Sequence, residues 1–210
     1  VDLATSSFGQ SITVTPLQMI TAVSAVANGG TLYKPHLVKE IVNSDSIVVE
    51  KNEPETVRQV ISEETSKTMC SILESVVSKG GGKNAYLAGY RVAGKTGTSE
   101  KYPRGNSKYV ASFIGFAPAD DPQIMMLLTL SNASDKTGTY RSGGNMAAPV
   151  ASSIMAEILP YLGIEPTYSA DELVGVHHAA GRLDLRLRRV EPAVAHVVGD
   201  RAGEDEGILQ

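Results

Sequence analysis

Four consecutive residues, Lys95-Thr96-Gly97-Thr98, combine a cation, two hydroxyls and a glycine. They fall at the end of a predicted strand, where period-two alternation places Thr96 and Thr98 on one face and Lys95 with Gly97 on the other. Because Gly97 has no side chain, another backbone can approach an edge strand closely there. Hydroxyls, a cation and a free strand edge suit an extended peptide that ends in a carboxylate. The Lys-Thr-Gly triplet alone, however, favours the alternative of a solvated strand.

The same residues overlap a nucleotide-binding pattern. Residues Gly89 to Thr96 satisfy G-x-x-x-x-G-K-[ST], the pattern of a phosphate-binding loop. Such a loop needs an apolar strand before it and a helix directly after it. The preceding residues are rich in glycine and polar types, and Pro103 and Gly105 oppose a long helix afterwards. A P-loop nucleotide hydrolase is therefore only a remote alternative.

Capping residues and apolar periodicity predict three helices around this strand. The first begins at Thr15-Pro16 and ends at Asn28-Gly29-Gly30. The second follows Ser62 and carries a single apolar face, made of Met69, Ile72, Leu73, Val76 and Val77. The third runs from Pro149 to Leu162, with an apolar stripe made of Val150, Ile154, Ile158 and Leu162.

Alternating and β-branched residues predict the strands. Leu37–Val42 and Ile47–Glu50 form a predicted hairpin. Three further strands are predicted at Tyr90–Thr98, Tyr109–Ala117 and Gln123–Ser131. Short connections between them favour an antiparallel meander. The predicted fold class is therefore α+β, an antiparallel sheet flanked by helices.

Composition excludes several function classes. The 210 residues carry a net charge of −4, so no general nucleic-acid-binding protein is expected. The single cysteine, Cys70, permits no internal disulfide and is expected to be a small buried residue of the second helix. Among the histidines, His177 and His178 are adjacent while His36 and His196 are remote, which is not a metal-ligand pattern. We expect neither a metal nor a cofactor.

Several further motifs follow one another in a fixed order. They are SFGQSITVTPLQM at 7–19, ANGG at 27–30, GKTGT at 94–98, ASFIGFAP at 111–118, GG at 143–144 and AP at 148–149. Over about residues 5–165 the chain thereby resembles the transpeptidase domain of the class B, monofunctional penicillin-binding proteins. The resemblance implies part of a penicillin-binding, serine transpeptidase fold, which is similar to that of β-lactamases.

The resemblance also implies an activity and residue roles. The family cross-links peptidoglycan stem peptides ending in D-Ala-D-Ala through an acyl-serine intermediate, and β-lactams bind as mimics of that terminus. Carried over, Lys95 supplies positive charge and orders the proton network. Thr96, Gly97 and Thr98 bind substrate, the two hydroxyls holding its carboxylate. The backbone N–H of Thr98 is one of two oxyanion-hole donors.

The chain departs from the family pattern in one respect. No lysine has a serine three residues before it, so the nucleophile motif Ser-x-x-Lys is absent, and no Ser-x-Asn precedes Lys95. We expect both motifs upstream of Val1, in a missing half of the domain, and expect this chain alone to be inactive. The family implies partners in the cell-wall synthesis machinery. It also implies the outer face of the bacterial cytoplasmic membrane, with anchoring by an N-terminal helix.

The final residues differ from the rest in composition. Residues 181–210 contain no lysine, serine or threonine. We therefore divide the chain into the transpeptidase part, 1–165, and a linker with a poorly ordered or non-native tail, 166–210. A non-catalytic relative that binds wall peptides or a partner protein is the alternative to the enzyme.

Overall fold

The computed structural model describes residues 4–5, 9, 12–133, 138 and 140–167. These residues belong to one unit, which ends at Tyr168. Predictions about residues 168–210, including His177, His178 and His196, lie outside the described part, and the division at residue 165 stays a prediction. Within the described part, no helix combines the length and the apolar character needed to cross a bilayer.

The first two helices begin where their capping residues predict. Helix α1 spans Pro16–Ala27, and the Thr15 hydroxyl accepts a hydrogen bond from the N–H of Gln18 at 3.2 Å. The Gln18 side chain accepts in return from the N–H of Thr15 at 2.9 Å, which completes a capping box. Helix α2 spans Glu63–Ser78, and the Ser62 hydroxyl accepts from the N–H of Thr65. Both predicted starts are confirmed.

The buried face of α2 differs from the predicted one. Ile72, predicted to lie on it, is 51% exposed. The face that packs inward includes Ser66, Cys70 and Val77, and Cys70 is buried as expected. Ser66 is tolerated there because its hydroxyl donates to the carbonyl of Val26 in α1 at 2.6 Å. A hydrogen-bonded polar side chain thus lies on a face where hydrophobic periodicity predicts only apolar residues.

Two small antiparallel strand pairs lie between α1 and α2. Strand β2, Glu40–Val42, pairs with β3, Val48–Lys51, which confirms the predicted hairpin. Strand β1, Thr31–Tyr33, pairs with β4, Thr56–Gln59, and this pair was not predicted. Its strands have three and four residues and pair across more than twenty intervening residues, so no local pattern marks them.

A three-stranded antiparallel meander forms the centre of the fold. Its strands are β5 (Ala93–Glu100), β6 (Tyr109–Ala117) and β7 (Ile124–Ser131), in the order β5-β6-β7. The predicted meander and the α+β class are confirmed. The register pairs Lys95 with Ile114 and Gly97 with Ser112.

Helices cover both faces of this sheet. On one face, Phe113 packs with residues of helix α3, Ala148–Tyr161, which follows a π-helical turn at Gly143–Ala147. On the other face, Phe116 and Ala93 pack with residues of α1 and α2. Helix α2 contributes to both sides, because its Val77 packs in the Phe113 cluster and its Cys70 in the Phe116 cluster.

The apolar stripe predicted for α3 is not the face that packs on the sheet. Val150 is 42% exposed and Leu162 is 50% exposed. The fully buried residues are Ala148, Ala151, Met155 and Leu159. Small residues at the start of this face let the helix lie close to the sheet, so close packing selects the alanine face.

Candidate active site

Strand β5 is an edge strand and places the predicted site residues along its open edge. Among the described residues it pairs only with β6. The N–H of Lys101, just beyond β5, donates to the carbonyl of Lys108 at 2.8 Å, so its backbone groups point toward the β6 side. Backbone groups of successive residues point to opposite edges of a strand. Those of Gly97 therefore point toward β6, and those of Thr96 and Thr98 point toward the open edge.

This edge offers backbone groups to an extended ligand. An unpaired strand edge presents N–H and C=O groups that a peptide can join as an additional strand. Thr98 is exposed, and its N–H lies on that edge. An N–H held by a sheet keeps a fixed direction, which is the requirement for a donor to a developing oxyanion.

Lys95 brings a positive charge to the same edge. Its side chain is exposed, and its Nζ donates to the carbonyl oxygen of Thr96 at 2.8 Å. Since that carbonyl points toward the open edge, the ammonium lies beside it, although the side chain of Lys95 leaves β5 on the face opposite to that of Thr96. The structure thus gathers Lys95, Thr96 and Thr98 at one place.

Thr98 has a partner that sequence reasoning did not identify. Its Oγ1 accepts a hydrogen bond from the N–H of Gly143 at 3.0 Å. Gly143 begins the π-helical turn before α3 and is separated from Thr98 by 45 positions. In the sequence, the Gly143-Gly144 pair is only one of the motifs that carry the family resemblance. No local pattern connects it with Thr98.

A side chain at Gly97 would displace a neighbouring hydroxyl. A Cβ added at Gly97 would lie 2.6 Å from the Oγ of its cross-strand partner Ser112. A Cβ added at Gly143 would in turn overlap the carbonyl oxygen of Gly97. The first contact can be relieved by rotation of the Ser112 hydroxyl, and the second is a reason for glycine at position 143. An approach of a ligand backbone to Gly97 stays a prediction.

An ion-pair network holds the residue that leads into β5. The Nε and Nη2 atoms of Arg91 each donate to one carboxylate oxygen of Glu74 at 2.7 Å, and Nη1 donates to Asp120 at 2.6 Å. These hydrogen bonds, chiefly those to Glu74, raise the pKa of the Arg91 guanidinium. The carbonyl of Arg91 also accepts from the N–H of Ala119 at 2.7 Å. The network joins α2, the start of β5 and the turn before β7, and no sequence pattern indicates it.

The nucleotide-binding interpretation is wrong. Gly94, Lys95 and Thr96 all lie in β5, which continues as a strand to Glu100. A phosphate-binding loop needs a helix N-terminus directly after the Lys-Thr pair, so that free N–H groups can meet the phosphates. A strand at this position cannot provide them.

A cavity of about 620 Å³ adjoins Thr98 and continues past the end of β5. Glu100, Lys101, Arg104 and Tyr109 are among the residues that line it. Its volume falls in the range of small-ligand sites. A ligand held at Thr98 would therefore extend over a surface that carries both charge signs and an aromatic ring.

Comparison with known proteins gives the same family throughout. The profile of the penicillin binding protein transpeptidase domain matches residues 1–156. Stage V sporulation protein D of Bacillus subtilis is 48% identical over 170 residues, which cover 79% of this chain and 26% of that protein. The peptidoglycan D,D-transpeptidase FtsI of Escherichia coli is 33% identical over 170 residues, with the same two coverages.

Solved structures agree with the sequence matches. Penicillin-binding protein 3 of Mycobacterium tuberculosis, in complex with aztreonam, superposes with a TM-score of 0.66 at 29% identity, over 78% of this chain and 38% of that one. The transpeptidase domain of Burkholderia pseudomallei penicillin-binding protein 3 superposes with a TM-score of 0.63 at 32% identity, over 79% of this chain and 48% of that one. The chain spans about a quarter of the length of the curated relatives it matches. With its fold, its open-edge Lys-Thr-Gly-Thr strand and these matches, the chain belongs to the penicillin-binding protein transpeptidase domain family.

Proposed function

We propose that this chain forms one wall of the active site of a peptidoglycan D,D-transpeptidase. The observation that carries the proposal is the open edge of β5, where the Lys95 ammonium, the Thr98 N–H and the exposed Thr98 side chain lie together. The acyl donor is a stem peptide that ends in D-Ala-D-Ala, bound in extended form along this edge. β-Lactams enter the same place as mimics of that terminus.

Each residue has a role that fits its position on the strand. The hydroxyls of Thr96 and Thr98 bind the C-terminal carboxylate, and Lys95 supplies positive charge and orders the proton network. The N–H of Thr98 stabilises the oxyanion of the tetrahedral intermediate, a contact worth roughly 3 kcal/mol of barrier. Gly97 has no side chain, so the backbone of the substrate can approach the strand between the two threonines.

The nucleophile comes from outside these 210 residues. A serine acyl-transferase of this family uses a Ser-x-x-Lys motif, and no lysine here has a serine three positions before it. The remaining part of the domain supplies this serine, its lysine and the second oxyanion-hole donor. That part of the domain lies against the open edge of β5. The whole protein acts at the outer face of the bacterial cytoplasmic membrane, together with other proteins of cell-wall synthesis.

A chimera tests this function. In it, the chain replaces the segment that it matches in Stage V sporulation protein D of Bacillus subtilis. We expect the chimera to form a covalent adduct with fluorescent penicillin, and the 210-residue chain alone to form none. Lys95→Ala should lower the rate of adduct formation by about 100-fold, as expected for loss of a charge that acts in the transition state. Lys79→Ala, at the end of α2, is the matched control and should leave the rate unchanged.

Other outcomes distinguish the alternatives. Adduct formation by the chain alone would contradict a nucleophile outside it. A chimera that binds a D-Ala-D-Ala peptide but forms no adduct would support a non-catalytic wall-peptide-binding protein instead. Equal rates for Lys95→Ala and Lys79→Ala would contradict the role given to Lys95.

A further inference from the structure

The π-helical turn at Gly143–Ala147 contacts β5 through a hydrogen bond as well as by packing. The N–H of Gly143 donates to Oγ1 of Thr98 at 3.0 Å, at a partly buried position. π-Helical turns are rare and occur frequently at functional sites. This one has no role in the function proposed above, although it contacts a residue that the function uses.

The hydrogen bond from Gly143 orients the Thr98 hydroxyl as a donor. A threonine hydroxyl has one hydrogen to donate and two lone pairs that accept. When the N–H of Gly143 occupies a lone pair, the side-chain rotamer is fixed and the hydrogen is left to donate. A carboxylate is an acceptor only, so a hydroxyl in this state matches the C-terminus of the acyl donor.

Close packing keeps the Gly143 amide in place. A Cβ added at Gly143 would overlap the carbonyl oxygens of Ser112 and Gly97 and would lie 3.0 Å from the nitrogen of Gly97. The backbone of Gly143 therefore rests directly on the paired backbones of β5 and β6. Only glycine permits this approach, and the approach brings its N–H within reach of Thr98.

A second contact supports the turn from the opposite side. The Nδ2 of Asn84 donates to the carbonyl oxygen of Gly144 at 2.8 Å. Asn84 lies in the short 3₁₀ turn Lys83–Ala85, which follows α2. Within the turn itself, the Ser142 hydroxyl accepts from the N–H of Asn145 at 3.1 Å. Asn84 thus ties the turn to a part of the fold that does not belong to the strand edge.

We propose that Gly143 and Asn84 are positioning residues for substrate binding. Gly143 orients the Thr98 hydroxyl as a donor toward the carboxylate of the acyl donor or of a β-lactam. Asn84 holds the turn so that the Gly143 amide stays aligned. This inference rests on the proposed function, because it assigns the carboxylate to Thr98. Neither residue touches the substrate, so each acts through Thr98.

The kinetic test separates positioning from general stability. In the chimera, penicillin binding (Ks) and the acylation step (k2) are measured separately for Asn84→Ala, for Thr98→Val and for the double variant. A contact made equally in the bound state and in the transition state affects binding and leaves the chemical step unchanged. We expect Asn84→Ala to raise Ks about 5-fold with k2 unchanged, as for a weakened charge-assisted hydrogen bond. In the Thr98→Val background, Asn84→Ala should have no further effect on Ks.

A second test needs no activity. In the full 210-residue chain, amide hydrogen exchange at Gly143 reports whether its N–H is bonded. Thr98→Val should accelerate exchange at Gly143, and Thr98→Ser, which keeps the hydroxyl, should not. Gly81→Ala is the control for substitution near the turn, because a Cβ at Gly81 meets nothing within 4 Å.

The outcomes that overturn the inference differ from those that overturn the function. A chimera that forms no adduct contradicts the proposed function. A chimera that acylates normally, but in which Asn84→Ala raises Ks equally with Thr98 or Val at position 98, contradicts only the positioning role. Unchanged Gly143 exchange in Thr98→Val contradicts the hydrogen bond on which that role depends.

Discussion

The guanidinium of Arg91 binds the carboxylate of Glu74 with two parallel N–H···O hydrogen bonds of 2.7 Å each. The pair joins α2 to the segment just before β5, two positions ahead of its first residue, and Asp120 extends it to the turn before β7. Bidentate geometry fixes the orientation of both partners, unlike a single contact between flexible side chains. The start of the site strand is therefore held by the side chain of Arg91 as well as by the sheet.

Loss of this network should destabilise the fold more than loss of an ordinary surface pair. We expect Arg91→Ala to lower the free energy of unfolding by about 1–2 kcal/mol, since it removes three charge-assisted hydrogen bonds on a half-exposed side chain. The control is Lys34→Ala, which breaks the exposed pair with Glu55 and should cost less than about 0.5 kcal/mol. Urea unfolding of the two variants measures both losses of unfolding free energy. Equal losses would contradict a special role for Arg91.

Gly94 should tolerate no side chain. A Cβ there would lie 2.5 Å from the Cζ of the buried Phe113 and 2.6 Å from the carbonyl oxygen of Ile114. Gly94→Ala must therefore move either a core ring or the β6 backbone, at a cost of more than about 2 kcal/mol. Gly81→Ala has open space around it and should change stability by less than about 0.5 kcal/mol. Thermal unfolding of both variants tests the packing of β5 on β6, which a tolerated alanine at Gly94 would refute.

The buried face of α3 predicts unequal losses of stability for substitutions at two leucines three positions apart. Leu159 is fully buried against the sheet, and Leu162 is 50% exposed. Leu159→Ala should cost about 3 kcal/mol through lost burial and the cavity left behind. Leu162→Ala should cost less than about 1 kcal/mol. Denaturant unfolding measures both losses of unfolding free energy. A larger loss for Leu162→Ala than for Leu159→Ala would support the apolar stripe that the sequence predicts.

The thiol of Cys70 should be protected from reaction in the folded chain. Burial raises its pKa, because desolvation disfavours the thiolate. Only the thiolate reacts, so alkylation at pH 8 should be at least about 100-fold slower in the folded chain than in urea. Alkylation followed by mass spectrometry measures the two rates, and equal rates would mean that the α2 face around Cys70 is open.

The same shift makes stability depend on pH. A group whose pKa is raised on folding holds its proton more tightly in the folded chain, so its contribution is complete below the pKa of the unfolded thiol. It is lost as the pH rises above about 8.5, where the unfolded thiol ionises first. Cys70→Ala should therefore show a smaller loss of unfolding free energy between pH 8 and pH 10 than the unsubstituted chain. An identical loss in both proteins would contradict the shift.

Sequence patterns predict the elements of this fold better than its contacts. The caps at Thr15 and Ser62 and the meander strands depend on neighbouring residues, so local rules are sufficient for them. The buried faces of α2 and α3 depend on what lies opposite. Cys70 and Ser66 pack where Ile72 does not, because the sheet and α1, and not the helix alone, select the face.

The site shows the same division. The order of Lys95, Thr96 and Thr98 on an edge strand follows from the sequence and from the family resemblance. The hydrogen bond from Gly143 to Thr98 and the ion pairs of Arg91 connect residues distant in sequence, and no spacing rule predicts them. For the hydrogen bond from Gly143 to Thr98, the sequence offers only a glycine pair near a predicted helix start.

A crystal structure of the chimera acylated by penicillin G would show where the acyl group binds. We expect the penicillin carboxylate to lie within hydrogen-bonding distance of the Thr96 and Thr98 hydroxyls. We also expect the ester carbonyl oxygen to accept from the Thr98 N–H at about 2.7–3.1 Å. The acylated serine would belong to the part contributed by Stage V sporulation protein D. An acyl group that lies away from the open edge of β5, or that is attached to a serine of this chain, would contradict the proposed function.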